Sequence, residues 1–109
     1  MSAPSIVRLA AISAILAIGA GAFGAHAIAG QPGEWLRTGA LYQLIHAVAA
    51  IALAGRAPRA SLVLLGGAAL FALTLYAMAL GAPRWFGAIT PIGGATMILG
   101  WSLIVFRPR

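Results

Sequence analysis

The 109-residue chain contains no cysteine, one acidic side chain (Glu34) and two histidines, His26 and His46. Without cysteine there is no disulfide, no thiolate nucleophile and no iron–sulfur ligation, and the redox compartment is left open. A lone carboxylate cannot supply a two-carboxylate hydrolytic mechanism or an oxygen-rich magnesium or calcium site within one chain. Polar surface is also scarce. With 62% of its residues hydrophobic, the chain has too little of it to enclose a soluble core.

What is present is four long apolar stretches, Ile6 to Ile28, Gly39 to Ala54, Ser61 to Leu80 and Phe86 to Phe106, separated by short breaks that hold nearly every charge. About 20 apolar residues suffice to cross about 30 Å of hydrocarbon. The pattern predicts an all-α integral membrane four-helix bundle of antiparallel up-down topology. It forms one membrane domain over 1–109, with helices at about 6–28, 35–54, 61–80 and 86–106. Arg8 followed by an apolar run and Ala25-His26-Ala27 imitates a secretory signal, but the run exceeds the roughly 7 to 15 apolar residues of such a signal, so a retained helix is expected.

The net charge of +6 would suggest nucleic-acid binding in a soluble protein. Here the arginines are scattered to the ends of the apolar stretches, where they reach lipid headgroups, so no nucleic-acid partner is expected. Arg8, Arg56, Arg59, Arg107 and Arg109 fall on one side, against Arg37 and Arg84, with Glu34 offsetting one of these, on the other. This asymmetry predicts that both termini are cytoplasmic. Glycine and proline punctuate the breaks: Gly30, Pro32 and Gly33 precede a second helix whose first turn is expected to hold Glu34. Gly55 with Pro58, and Gly81 with Pro83, close the second and third helices. Trp35, Trp85 and Trp101 are expected at the headgroup level.

In hydrocarbon, helices associate through small residues that let backbones approach. Ser13, Ala17, Gly21 and Ala25 recur every fourth residue and predict the packing face of the first helix, with Gly19 and Gly24 widening it. Ala68 with Ala72, and Thr96 with Gly100, repeat that spacing on a shorter scale. Gly93 and Gly94, behind Pro91, predict close packing at the start of the fourth helix.

The polar residues inside the spans are few: His26, Tyr42, Gln43, His46, Thr74, Tyr76, Thr90 and Thr96. Polar groups in hydrocarbon are expected to face the bundle interior and find partners there. Tyr42 and His46 lie one helical turn apart beside Gln43, so phenol, imidazole and amide are placed to share a hydrogen-bond chain. With His26, Tyr76 and Thr90 they form the candidate cluster, either a ligand-binding site or structural glue, in the outer half of the bundle. Haem held by the two histidines is not expected, because the helix ends place them roughly 10 Å apart in depth. No metal and no cofactor is predicted.

The segments GAFGAHA at Gly21 to Ala27, YQLIHA at Tyr42 to Ala47 and WFGAITPIGGATMILGW at Trp85 to Trp101 resemble the YgdD-like and YwdK-like small membrane proteins, catalogued as a domain of unknown function, and the vertebrate transmembrane protein 256 group looks similar. The resemblance covers most of the chain and implies four membrane helices in a bacterial inner (plasma) membrane or a related organelle membrane. It implies no reaction, cofactor or substrate.

The expected role is a non-catalytic accessory or packing subunit of a larger membrane assembly, with lipids and a protein partner, or a second copy of the chain, as its neighbours. The alternative is a binding or transport module for a small apolar ligand such as a quinone or lipid near Tyr42, Gln43, His46 and Thr90. An enzyme lacks a nucleophile, metal set or second acid to accompany histidine and tyrosine. A channel lacks a charged ring or carbonyl filter.

Overall fold

The computed structural model describes residues 1–107, so Arg109, counted above on the arginine-rich side, lies outside the described residues. The described residues form four α-helices: α1 (Ala3–His26), α2 (Gly30–Leu53), α3 (Pro58–Ala79) and α4 (Thr90–Val105). A short 3₁₀ helix, Arg84–Ala88, leads into α4. All four are long and apolar enough to cross a membrane, the 3₁₀ turn and α4 together forming the last span, Arg84–Val105.

Local chemistry sets the ends. The Ser2 hydroxyl caps α1 by accepting from the Ser5 amide at 3.3 Å, and Pro4 sits in the first turn, where a missing N–H costs nothing. Gly30 and Gly81 take φ of +70° and +107° in the turns that follow α1 and α3, a region that a β-carbon disfavours. Because the chain turns already at Gly30, α2 opens there rather than near residue 35. Glu34 therefore lies beyond the first turn in which it was expected. Pro58 opens α3 as its first residue, three residues ahead of the predicted start.

Consecutive helices are antiparallel. On α1 and α2, Ser13 meets Gln43 while Gly24 lies against Gly33 and Leu36. On α2 and α3, Ala50 meets Ser61 while Gly39 lies against Ala72 and Tyr76. On α3 and α4, Leu64 packs on Gly100, Gly67 on Met97, Phe71 on Gly93, and Thr74 on Thr90. The bundle is open along one side. Among the described residues α1 and α4 do not touch, and α1 meets α3 only lightly. Hence α2 and α3 form the centre, with 39% and 44% of their spans buried, while α1 and α4 flank them with 22% each.

The α1 packing face differs from a strict four-residue ridge. Ser13 and Ala17 are buried and Gly21 approaches Ala40, but Ala25 is exposed; the buried line runs through Ile6, Ala10, Ser13, Ala17 and Gly24. Its alternating steps of four and three average close to 3.5 residues, the period that keeps one seam against a neighbour. Repeated steps of four instead drift about 40° each around the helix.

Glycine brings α3 and α4 together. A methyl built on Gly93 would sit 2.5 Å from the Phe71 amide nitrogen, and one on Gly100 2.6 Å from a Leu64 methyl, so neither position has room for a side chain. Gly94, predicted alongside Gly93, faces open space. Gly93→Ala is expected to push α4 off α3 and cost about 1–3 kcal/mol, read as a lowered unfolding midpoint in detergent. Gly94→Ala is expected to leave the midpoint unchanged or raise it.

Candidate functional site: an intramembrane polar network

Gln43, in the middle of α2, holds three helices together. Its amide Nε2 donates to Ser13 Oγ on α1 at 3.0 Å, and its Oε1 accepts from the Tyr76 hydroxyl on α3 at 2.6 Å. Gly39, one turn earlier, makes room for the Tyr76 ring: a methyl there would meet Tyr76 Cε1 at 2.7 Å.

A second tie spans the gap between α2 and α4. The Trp101 indole N–H donates to His46 Nε2 at 3.1 Å, and His46 Nδ1 lies 2.7 Å from the Tyr42 backbone carbonyl. An indole only donates and a carbonyl only accepts. The imidazole must therefore be neutral, with its proton on Nδ1 and its lone pair on Nε2. The His46 and Trp101 rings meet edge to face with centroids 5.8 Å apart.

The third tie joins α3 to α4 through the Thr74 and Thr90 hydroxyls, 2.7 Å apart. Thr74 Oγ1 also lies 3.1 and 3.0 Å from the Leu70 and Phe71 carbonyls of its own helix, and Thr90 Oγ1 lies 3.4 Å from the Phe86 carbonyl. Among the described residues, no buried side-chain nitrogen or oxygen lacks a partner.

A scan against protein families matches residues 20–94 to the family described as "Protein of unknown function (DUF423)". The chain belongs to this family. It is 36% identical to the UPF0382 membrane protein YwdK of Bacillus subtilis, with 91% of each chain covered. It is 33% identical to the UPF0382 inner membrane protein YgdD of Escherichia coli K12, with 96% of this chain and 89% of that one covered. The UPF0382 membrane protein SERP0230 of Staphylococcus epidermidis is 34% identical, with 91% and 90% covered. No solved structure matches. The relatives' names place them in membranes and attach no reaction to them.

The residues singled out from sequence do not form one cluster. Gln43, Tyr76, His46 and Thr90 each join a tie, but these are separate pairs and triples. The side chain of His26, the last residue of α1, is exposed and makes no hydrogen bond among the described residues, because it lies about 200° around the helix from buried Gly24. Tyr42 is also exposed. Its ring packs on Phe71 at 4.7 Å between centroids and stacks on the His46 ring at 6.4 Å, but only its backbone carbonyl is in hydrogen-bond reach of His46, so the expected phenol–imidazole–amide chain does not form. Thr96 turns back on its own helix, to the Ile92 carbonyl at 2.8 Å. Since α2 opens at Gly30, His46 lies past its midpoint, towards the arginine-rich end rather than in the outer half.

Sequence reasoning missed three participants. Trp101 was assigned to the headgroup level by its place near a span end, yet its N–H is used inside. Ser61 donates to the Ala50 carbonyl at 3.1 Å, and the Arg37 guanidinium to the Gly24 carbonyl at 2.8 Å. The usable signal for Trp101 was antiparallel pairing, which sets the late part of α4 level with the late part of α2.

Gln43→Leu removes two interhelical bonds and strands two hydroxyls. At about 0.6 kcal/mol per membrane hydrogen bond, it is expected to cost about 1 kcal/mol, and Ser13→Ala about half of that. Reversible unfolding in bicelles measures both.

Proposed function

We propose that the chain is a non-catalytic accessory subunit that packs laterally against other membrane helices. The observation that carries this reading is that the buried polar side chains are paired within the chain itself, while the flanking helices α1 and α4 stay largely uncovered. Within the buried network the polar groups are engaged with one another, and the free side chains of His26 and Tyr42 lie exposed outside it. His46 has both ring nitrogens engaged, and Gln43 has both its amide nitrogen and its oxygen engaged. Rigid internal ties with open flanks suit a chain whose role is contact, with a larger assembly or a second copy as the neighbour.

The alternative, a quinone or lipid held near Tyr42, Gln43, His46 and Thr90, has weaker support. The groove in which Gln43 and Ser13 lie, between α1 and α3, has a volume of about 260 Å³, below the roughly 300–1,000 Å³ usual for small-molecule sites. A ligand bonding His46 would first have to displace Trp101.

Extraction in a mild detergent followed by native electrophoresis is expected to show the 11.0 kDa protein in a band well above that of its detergent-bound monomer. Migration only as a free monomer would contradict the subunit reading. The reading also places the arginine-rich end in the cytoplasm. A C-terminal green fluorescent protein fusion is then expected to fluoresce, whereas an active C-terminal alkaline phosphatase fusion would reverse the orientation.

A further inference from the structure

A second cavity lies away from the polar network, at the end of the bundle where α4 finishes beside the α2–α3 turn. It measures about 790 Å³, a size that accommodates a small organic ligand. Its walls are of two kinds. Arg56 and Arg59 from the turn and the start of α3, with Arg107 just beyond α4, supply three guanidinium groups; Leu99, Leu103 and Phe106 supply an apolar wall running along α4. The three leucine and phenylalanine side chains are exposed, 53%, 41% and 82% respectively, so this wall continues outward into the membrane.

The guanidinium groups have no side-chain counterion near them. The sequence holds one carboxylate side chain, Glu34, in the early part of α2, whereas Arg56 follows the far end of that helix. A separation of 22 positions corresponds to roughly 33 Å of helix. The Arg107 Nη2 donates to the Arg56 backbone carbonyl at 2.8 Å, which ties the end of α4 to the turn. Among the described residues the Arg56 and Arg59 side chains make no hydrogen bond. Three like charges lining one recess repel each other unless an anion lies between them, and guanidinium forks match phosphate oxygens in geometry as well as charge. A recess at the end of membrane helices sits at the depth of lipid phosphates, and basic pockets between membrane helices take anionic headgroups.

From this we infer that the cavity is a binding site for one anionic glycerophospholipid. Its phosphate lies among Arg56, Arg59 and Arg107, and an acyl chain lies along Leu99, Leu103 and Phe106. The site does not depend on the subunit reading and shares no residue with the polar network. A partner subunit can meet the chain through lipid at this corner or elsewhere without altering it.

Native mass spectrometry of the detergent-solubilised full chain, titrated separately with phosphatidylglycerol, phosphatidylcholine and inorganic phosphate, tests the inference. The expected result is one tightly retained phosphatidylglycerol, with phosphatidylcholine bound at least about tenfold more weakly. R56Q/R59Q should lose roughly thirtyfold in affinity, at about 1 kcal/mol per arginine near a membrane surface. L103W, which fills the recess and leaves the charge unchanged, should also lose the lipid, and R84Q, at the opposite end, should not. Circular dichroism checks that each variant is folded; if R56Q/R59Q fails that check, L103W decides. Equal retention of the two lipids, an R84Q loss as large as that of R56Q/R59Q, or undiminished binding in folded L103W would each overturn the site. Saturable binding of inorganic phosphate with no preference for phosphatidylglycerol over phosphatidylcholine would overturn the lipid assignment.

Discussion

Hydrocarbon offers no hydrogen bonds, and this constraint explains most of what the structure does with its few polar side chains. In water, Ser13, Gln43 or Tyr76 left unpaired would bond to solvent at little cost. In a span, each unpaired group must find another partner or lose stability, about 0.6 kcal/mol per bond on average, so a register that pairs them is favoured. Because apolar residues dominate every helix, lipid and protein solvate them almost equally well and they set register weakly. Four polar residues, Gln43, Tyr76, His46 and Trp101, set it strongly.

Close packing supplies the other half. Gly24 against Gly33, Gly39 against Tyr76, and Gly67 and Gly93 across the α3–α4 seam bring backbones near enough for short side chains such as Ser13, Thr74 and Thr90 to reach across. Neither feature works alone. A bulkier residue at Gly39 would displace the Tyr76 ring and with it the bond to Gln43, so the packing determines whether the polar tie can form.

The four spans were legible in the sequence because apolar run length is a one-dimensional property, and so was the choice of Gln43, Tyr76, His46 and Thr90 as interior polar groups. Their partners were less legible. Pairing depends on rotation about each helix axis, which a few residues of boundary error or a 3.5- rather than 4-residue packing period changes by tens of degrees. That is why Ala25 and His26 face outward, why Tyr42 contributes a carbonyl instead of its phenol, and why Trp101, assigned to the interface by residue type, serves as an internal donor. Membership of a family whose relatives carry only membrane names adds no chemistry to this picture, and the reading of function rests on which groups are spent and which surfaces are open.

The most direct measurement is the nitrogen spectrum of His46 in the protein labelled with ¹⁵N-histidine and reconstituted in bilayers. The account predicts a neutral ring protonated at Nδ1, with Nε2 accepting a hydrogen bond that disappears in Trp101→Phe. A ring protonated at Nε2, or one in rapid exchange with water and indifferent to Trp101→Phe, would contradict it.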